Sequence, residues 1–374
     1  MFAGLSFALL NCQSKPQESR TEVVESRTRW TAEKAKQWYY DQPWLVGCNF
    51  IPSTAINQLE MWQAASFDTA SIKRELGLAA GLGMNTVRVY LHDLLYEQDS
   101  TGFFGRMETF LEISASQKIK PMFVLFDSVW DPFPKLGKQR SPRPHVHNSG
   151  WVQSPGKPTL QDTTQYARLS RYVRGTINRF RSDVRILAWD LWNEPENQNG
   201  SAYGTVELPN KGEIVYPLLK RAFEDARSVN PIQPLTAGLW QHDWSEEGKL
   251  TPINKLMIEE SDVITFHCYD GAEELEERIE WLKQYGRPLL CTEYMARGNK
   301  STFESSLPIL KKHRVGAYNW GLVAGKTQTQ YPWDSWKKAY TREPDLWFHD
   351  IFRANGTPYR MSEVLFIRRV VKEQ

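Results

Sequence analysis

Two glutamates stand out as residues that could do chemistry. Glu194 closes the strand-like run RILAWDLWNEP, within Trp192-Asn193-Glu194-Pro195, and Glu293 closes a second run, RPLLCTEYM. Each run carries an acidic side chain to the carboxyl end of a buried strand, in a surround of Trp, Tyr, His and Arg. Two carboxyl groups so placed suit cleavage of a glycosidic bond: one protonates the departing oxygen and the other attacks the anomeric carbon. A single Glu after a buried strand is more often a salt-bridged rim residue. A pair, one of them inside WNEP, favours catalysis. Glu194 reads as the acid/base and Glu293 as the nucleophile. Asn193 is placed to bond a substrate hydroxyl next to the reacting carbon. Arg88 could hold Glu293 ionised, and Tyr269 could donate a hydrogen bond to it.

Eight short apolar runs have the length and composition to carry such groups: 45–50, 85–91, 120–126, 186–192, 233–239, 262–267, 287–293 and 315–321. Helical periodicity lies between them. Phe103, Met107, Phe110, Leu111 and Ser114 share one face, as do Tyr166, Leu169, Val173, Ile177 and Phe180, and Val215, Leu219, Ala222, Ala226 and Val229. A last helix spans about 362–372, after the turn-like Asn355-Gly356-Thr357-Pro358. Eight buried strands alternating with helices predict an α/β chain closed into a (β/α)8 TIM barrel. The connections leaving the strands are long, namely 127–162, 193–211, 240–254 and 322–349, and in this architecture they form the catalytic face. Residues 38–374 read as one catalytic domain, without an internal linker or repeat.

The chain of 374 residues has a formal net charge of +2, and no Lys/Arg block gives a case for nucleic acid. Its 15 Trp and 15 Tyr are the compositional signal, because aromatic faces in polar loops stack on sugar rings. Trp130, Trp151, Trp240, Trp244, Trp333 and Trp336 are the wall candidates, each of which could instead pack. His92 and Asp93 either line the mouth or cap the next helix. Cys48, Cys268 and Cys291 lie in or at the ends of strands and read as buried free thiols. Residues 1–12 end in Leu-Leu-Asn-Cys and read as a signal segment, with 13–37 a polar linker. The expectation is a bacterial lipoprotein anchored through Cys12 and exported to the periplasm or cell surface. The chain lacks G-x-S-x-G, H-E-x-x-H, Walker A and strand-linked G-x-G-x-x-G motifs, and no Cys/His spacing suggests zinc. No cofactor or metal is expected.

Taken together, these residues resemble clan A of the glycoside hydrolases, and family 5 (cellulase-like) most closely. WNEP after the fourth strand and a Glu after the seventh carry the resemblance. Arg88 in TVRVY, His267 and Tyr269 in FHCYD, and Trp320 in AYNWG extend it over about residues 44–340. It implies a retaining β-glycoside hydrolase acting on an oligo- or polysaccharide, with Trp320 flooring the sugar subsite. The family often has a His at the end of strand three. Here Phe126-Asp127-Ser128 stands in its place, so Asp127, His145 or His147 takes that role. The long loops after strands three and eight are expected to wall off part of the groove, favouring short oligosaccharides or chain ends. A non-catalytic glycan-binding barrel and a transglycosylase using the same site remain the alternatives.

Overall fold

The protein is described by a computed structural model covering residues 1–2 and 25–372. Cys12, the rest of the expected signal segment and the start of the linker lie outside the described residues. Eight parallel strands form a closed barrel in chain order: β1 (Val46–Asn49), β2 (Thr86–Tyr90), β3 (Lys120–Asp127), β4 (Ala188–Asn193), β5 (Leu235–Leu239), β6 (Ile264–His267), β7 (Leu289–Tyr294) and β8 (Gly316–Trp320). Each overlaps its expected run to within two residues at either end. β8 pairs back onto β1 through Val46–Ala317 and Asn49–Trp320, so no strand edge is left open.

Parallel strands covered by helices bury both faces, which is why these runs are near-continuously apolar. The helix Tyr166–Phe180 illustrates the covering layer. It turns Leu169, Tyr172, Val173, Thr176, Ile177 and Phe180 inward, and the Tyr172 hydroxyl donates to Leu125 O at 3.0 Å. His92 and Asp93 settle as helix-end residues. The His92 ring accepts from Leu94 N at 3.2 Å, while Asp93 pairs with Arg168 at 2.8 Å. Cys48, Cys268 and Cys291 are buried free thiols.

The polar composition of 13–37 suggested a linker, but its described part is built into the barrel floor. Arg27 pairs with Asp262 at 2.6 Å, and Trp30 N donates to the same carboxylate at 2.7 Å. Thr31 then caps the helix Ala32–Tyr40. Trp30, Ala35 and Tyr39 pack with Leu45, Met122, Ala188, Val263, Leu290 and Tyr318 to close the amino-terminal end. Mean polarity concealed this, because two or three well-spaced apolar residues suffice to seal a barrel end.

At the other end, pairing slips out of register between Asp190 and Asn193 on β4, at Phe266/His267 on β6, and between Cys291 and Tyr294 on β7. Bulges re-aim side chains where a regular strand would alternate them. These three lie on the strands that end in Asn193–Glu194, His267 and Glu293.

Candidate active site

Arg88 is the centre of the mouth. It is fully buried, and its guanidinium reaches across the barrel to β1, β4 and β7. Nε and Nη2 donate to Asp190 Oδ2 at 2.9 and 2.8 Å, and Nη2 to Asn193 Oδ1 at 2.7 Å. Nη1 donates to Asn49 Oδ1 at 3.0 Å and to Glu293 Oε1 at 2.9 Å. A buried guanidinium is tolerable only with such compensation, and its rigid fork fixes where the acceptors sit.

Glu293, on β7, is met by charge and by hydroxyls. Besides Arg88, Tyr90 donates to its Oε1 at 2.9 Å and Tyr269 to its Oε2 at 2.7 Å. Glu194 follows the last residue of β4 with φ of 46°, a left-handed conformation that a Glu adopts only when its surroundings enforce it. Asn197 N donates back to Glu194 O at 2.9 Å, closing the turn. The Glu194 side chain has uncharged partners: Asn197 Nδ2 donates to Oε2 at 2.6 Å, and His267 Nδ1 lies 2.8 Å from Oε1. Burial pushes the Glu194 carboxyl up to about 7, against the opposing pull of Asn197, Arg88 and Lys211. Burial also pushes the His267 imidazole down to about 4, so it is neutral beside both acids, 3.6 Å from Glu293 Oε2. Single donor atoms of Glu194, His267 and Glu293 lie within 4.8 Å of one another. Among the described residues this is the group of His, Cys, Asp and Glu close enough to share a metal ion, and it consists of the acids themselves.

Around the acids lies a pocket of about 340 Å³, walled by Trp130, His147, Trp151, Tyr269, Trp320 and Trp333. Trp240 lines it on the side of the β5 loop. Trp320, Trp151 and Tyr90 meet edge to face, with centroids 5.1 to 5.9 Å apart. Trp130 stacks on Trp336, which supports the wall from behind. Trp244 is a core residue instead, fully buried against Phe266.

Asp127 does not line the pocket. It sits beneath it, accepting from Trp151 Nε1 at 2.6 Å, Asn193 Nδ2 at 2.9 Å and Gln58 Nε2 at 3.2 Å. Its role is to aim Asn193 and Trp151, and burial raises its carboxyl to about 7. Of the two loop histidines, His147 reaches the pocket while His145 is held outside it against Tyr331.

The chain alone did not single out Tyr90, Asp190, Asn197 or His349. Tyr90 lies two residues from Arg88, which is the signal that could have found it: alternate strand residues share a face. His349 lines the pocket from the far end of the β8 loop, its Nδ1 2.6 Å from Met295 O. No local pattern announces it. A buried Lys211–Glu207 pair also escaped notice. Lys211 Nζ donates to Ser128 O at 2.9 Å and Gln153 Oε1 at 3.0 Å, while Gln153 Nε2 donates to Trp130 O at 2.9 Å. This pair staples the β3 loop, and Trp130 with it, to the β4 loop.

A closed parallel barrel with two acids facing each other across its mouth defines a carbohydrate-cleaving class. Residues 53–326 match the Cellulase (glycosyl hydrolase family 5) profile, and the chain belongs to that family. It is a glycosidase. No curated protein matches the sequence. Among solved structures, the chain is similar to a variant of GH5_18 from Streptomyces cattleya in complex with Manb1-4GlcNAc, at 12% identity over 89% of this chain and 82% of that one, with a TM-score of 0.58. It is similar to the exo-beta-1,4-mannosidase Op5Man5 from Opitutaceae bacterium strain TAV5, at 18% identity over 88% and 60%, with a TM-score of 0.59. The hyperthermostable endo-1,4-beta-D-mannanase of Thermotoga petrophila RKU-1 gives 16% identity over 88% and 99%, with a TM-score of 0.55. At these identities the likeness is one of fold.

Proposed function

We propose that the protein hydrolyses β-glycosides with retention, by double displacement. Glu293 attacks the anomeric carbon while Glu194 gives its proton to the departing oxygen, so the C–O bond breaks as the ester to Glu293 forms. Water then attacks the same carbon. Glu194 takes a proton from that water, and the ester bond breaks to free the sugar and restore both acids. One observation carries this reading: the two carboxyl groups approach within 4.8 Å in opposite environments. Retaining pairs stand about 5–5.5 Å apart and inverting pairs about 6.5–9.5 Å. The division of labour follows from the partners. Burial beside neutral groups keeps Glu194 protonated near neutral pH, as an acid requires, whereas a guanidinium and two phenols meet the charge of Glu293.

Asn193 is held by Arg88 and Asp127 where it can bond a hydroxyl next to the reacting carbon, and Trp320 offers its face to the ring. β-Mannosides come first in a substrate panel, since a mannosidase and a mannanase share the fold. The test is a set of 2-deoxy-2-fluoro-β-glycosides of different configuration, followed by peptide mass spectrometry. A glycosyl adduct on Glu293 is expected, and the first product should keep the β configuration by NMR. Inverted product would refute double displacement. Turnover of no probe would leave a glycan-binding barrel, and net transfer to added sugar would mark a transglycosylase.

A further inference from the structure

The two sides of the pocket differ, and the difference bears on where a glycan is cut. On one side the β3 and β8 loops are laced together. Asn148 N donates to Thr327 O at 2.7 Å, and His147 N to Ser335 Oγ at 2.9 Å. His145 N donates to Gln328 Oε1 at 2.7 Å, and Gln328 Nε2 returns a bond to Arg143 O at 2.7 Å. From below, Asn57 and Gln58 tie the same loop down through Gly150 O and Val152 O, both at 2.8 Å. Behind Trp151 and Trp320, toward β1 and β2, the remaining space is about 10 Å³. That is room for about one water and far too little for a sugar ring. A glycan cannot continue in that direction.

On the side of Glu194 the pocket opens. Asn197, Asn199, Gly200 and Trp240 border both it and a second cavity of about 750 Å³ between the β4 and β5 loops. Trp240 and Tyr216 line that second cavity. Among the described residues Glu196 and Glu213 are the acids that line it, and no Lys or Arg does. Glu196 is buried, with the Trp240 indole N–H and the Asn254 amide directed at its carboxyl.

Building on the double-displacement reading, we propose that the enzyme removes one sugar at a time from the non-reducing end of a β-linked oligosaccharide. The leaving saccharide, uncharged or amino-bearing, occupies the cavity of Glu196 and Trp240. The direction follows from the chemistry. The oxygen protonated by Glu194 belongs to the departing part, so that part begins on the open side. The ring bonded to Glu293 lies in the blind pocket, with no room for another sugar behind it.

Reducing-end-labelled tetrasaccharides of β-linked mannose, glucose, galactose and xylose test this, alongside the matching β-glycosyl fluorides, whose leaving group needs no saccharide site. The expected first products are a labelled trisaccharide and a free monosaccharide. Glu196→Gln should slow tetrasaccharide cleavage about tenfold more than fluoride turnover, the equivalent of one lost contact. A reducing-end uronic acid on the same oligosaccharide should slow it further. Labelled mono- and disaccharide as first products, or fluoride turnover without oligosaccharide cleavage, would overturn this proposal and leave double displacement standing. Turnover of neither class would overturn both. Equal effects of Glu196→Gln on both classes would remove Glu196 from the leaving side.

Discussion

The two ends of the barrel both bury charge, and they treat it differently. At the floor, Asp262 accepts from Arg27, from Trp30 N and, at 2.8 Å, from Leu235 N, within a plug made of Trp30, Tyr39, Met122, Leu290 and Tyr318. Its carboxylate is answered locally, by that ion pair and two backbone donors. At the mouth, burial holds Asp127, Glu194 and Glu196 each at about 7. The mouth tolerates the cost of carboxyls that keep their protons, and sets the fully buried Arg88 guanidinium between Asp190 and Glu293. Conserving charge balance suffices to close a barrel; unequal charge balance makes a site.

The sharpest way to break this contrast is at the mouth. Glu293→Gln should lower kcat by about 10⁴-fold or more, the scale seen when a nucleophile is removed, with the fold intact by circular dichroism. Glu194→Gln should cost about 10²–10⁴-fold on a saccharide leaving group, and less on a fluoride that departs without a proton. In the unaltered enzyme kcat/KM should fall above about pH 7, as the raised Glu194 carboxyl loses its proton. That limb should vanish in Glu194→Gln. If it persists, some other group is the acid.

Arg88→Met probes the same end through stability. It removes the cation shared by Asp190 and Glu293, leaving Glu293 only its two tyrosine donors, and breaking a buried pair of this kind costs about 3–5 kcal/mol. Urea unfolding should register that loss together with a loss of kcat. A variant as stable as the parent would mean that the guanidinium is not what balances the mouth.

The raised carboxyls make a smaller, pH-dependent claim. Asp127 keeps its proton to about 7 when folded and titrates near 4 when unfolded. Between those values the folded state holds the extra proton, so stability is present in full below pH 4 for this group and declines as pH rises toward 7. Three units correspond to about 4 kcal/mol at most. The melting temperature should therefore drop between about pH 4 and 7, and Asp127→Asn should flatten that drop. A melting temperature that rises over this range would show that the mouth carboxyls are ionised in the fold.

How much of this was legible in the chain divides along the same line. Strands buried on both faces leave continuous apolar runs, so all eight strands could be read, and the two glutamates were visible because each ends such a run. Trp130, Trp151, Trp240 and Trp333 could be proposed as walls from loop composition. Trp244, by contrast, has the same kind of loop sequence around it and turned into core. What local sequence does not encode is contact across the barrel. Asp190 supports Arg88, and Asp127 lies under the pocket instead of in it, because of register shifts and loop paths fixed only by tertiary packing. His349 enters the site from the end of a long loop for the same reason. The floor was obscured because a polar segment contributes few, widely spaced anchors.

The smallest expected effect belongs to that floor and tests whether the ends are independent. Arg27→Ala removes the ion pair with Asp262 and a 3.3 Å bond to Gln233 O, but Asp262 retains its two backbone donors. The loss should be about 1–3 kcal/mol, as for a hydrogen-bonded charge deprived of one partner, seen as a lower urea midpoint. Because no residue of the floor cluster is a hydrogen-bond partner of Glu194 or Glu293, kcat on a glycosyl fluoride should be unchanged where the variant is fully folded. A matching fall in kcat would mean that the plug sets the geometry of the mouth through the strands it caps, and the barrel would then act as one lever instead of two separately balanced ends.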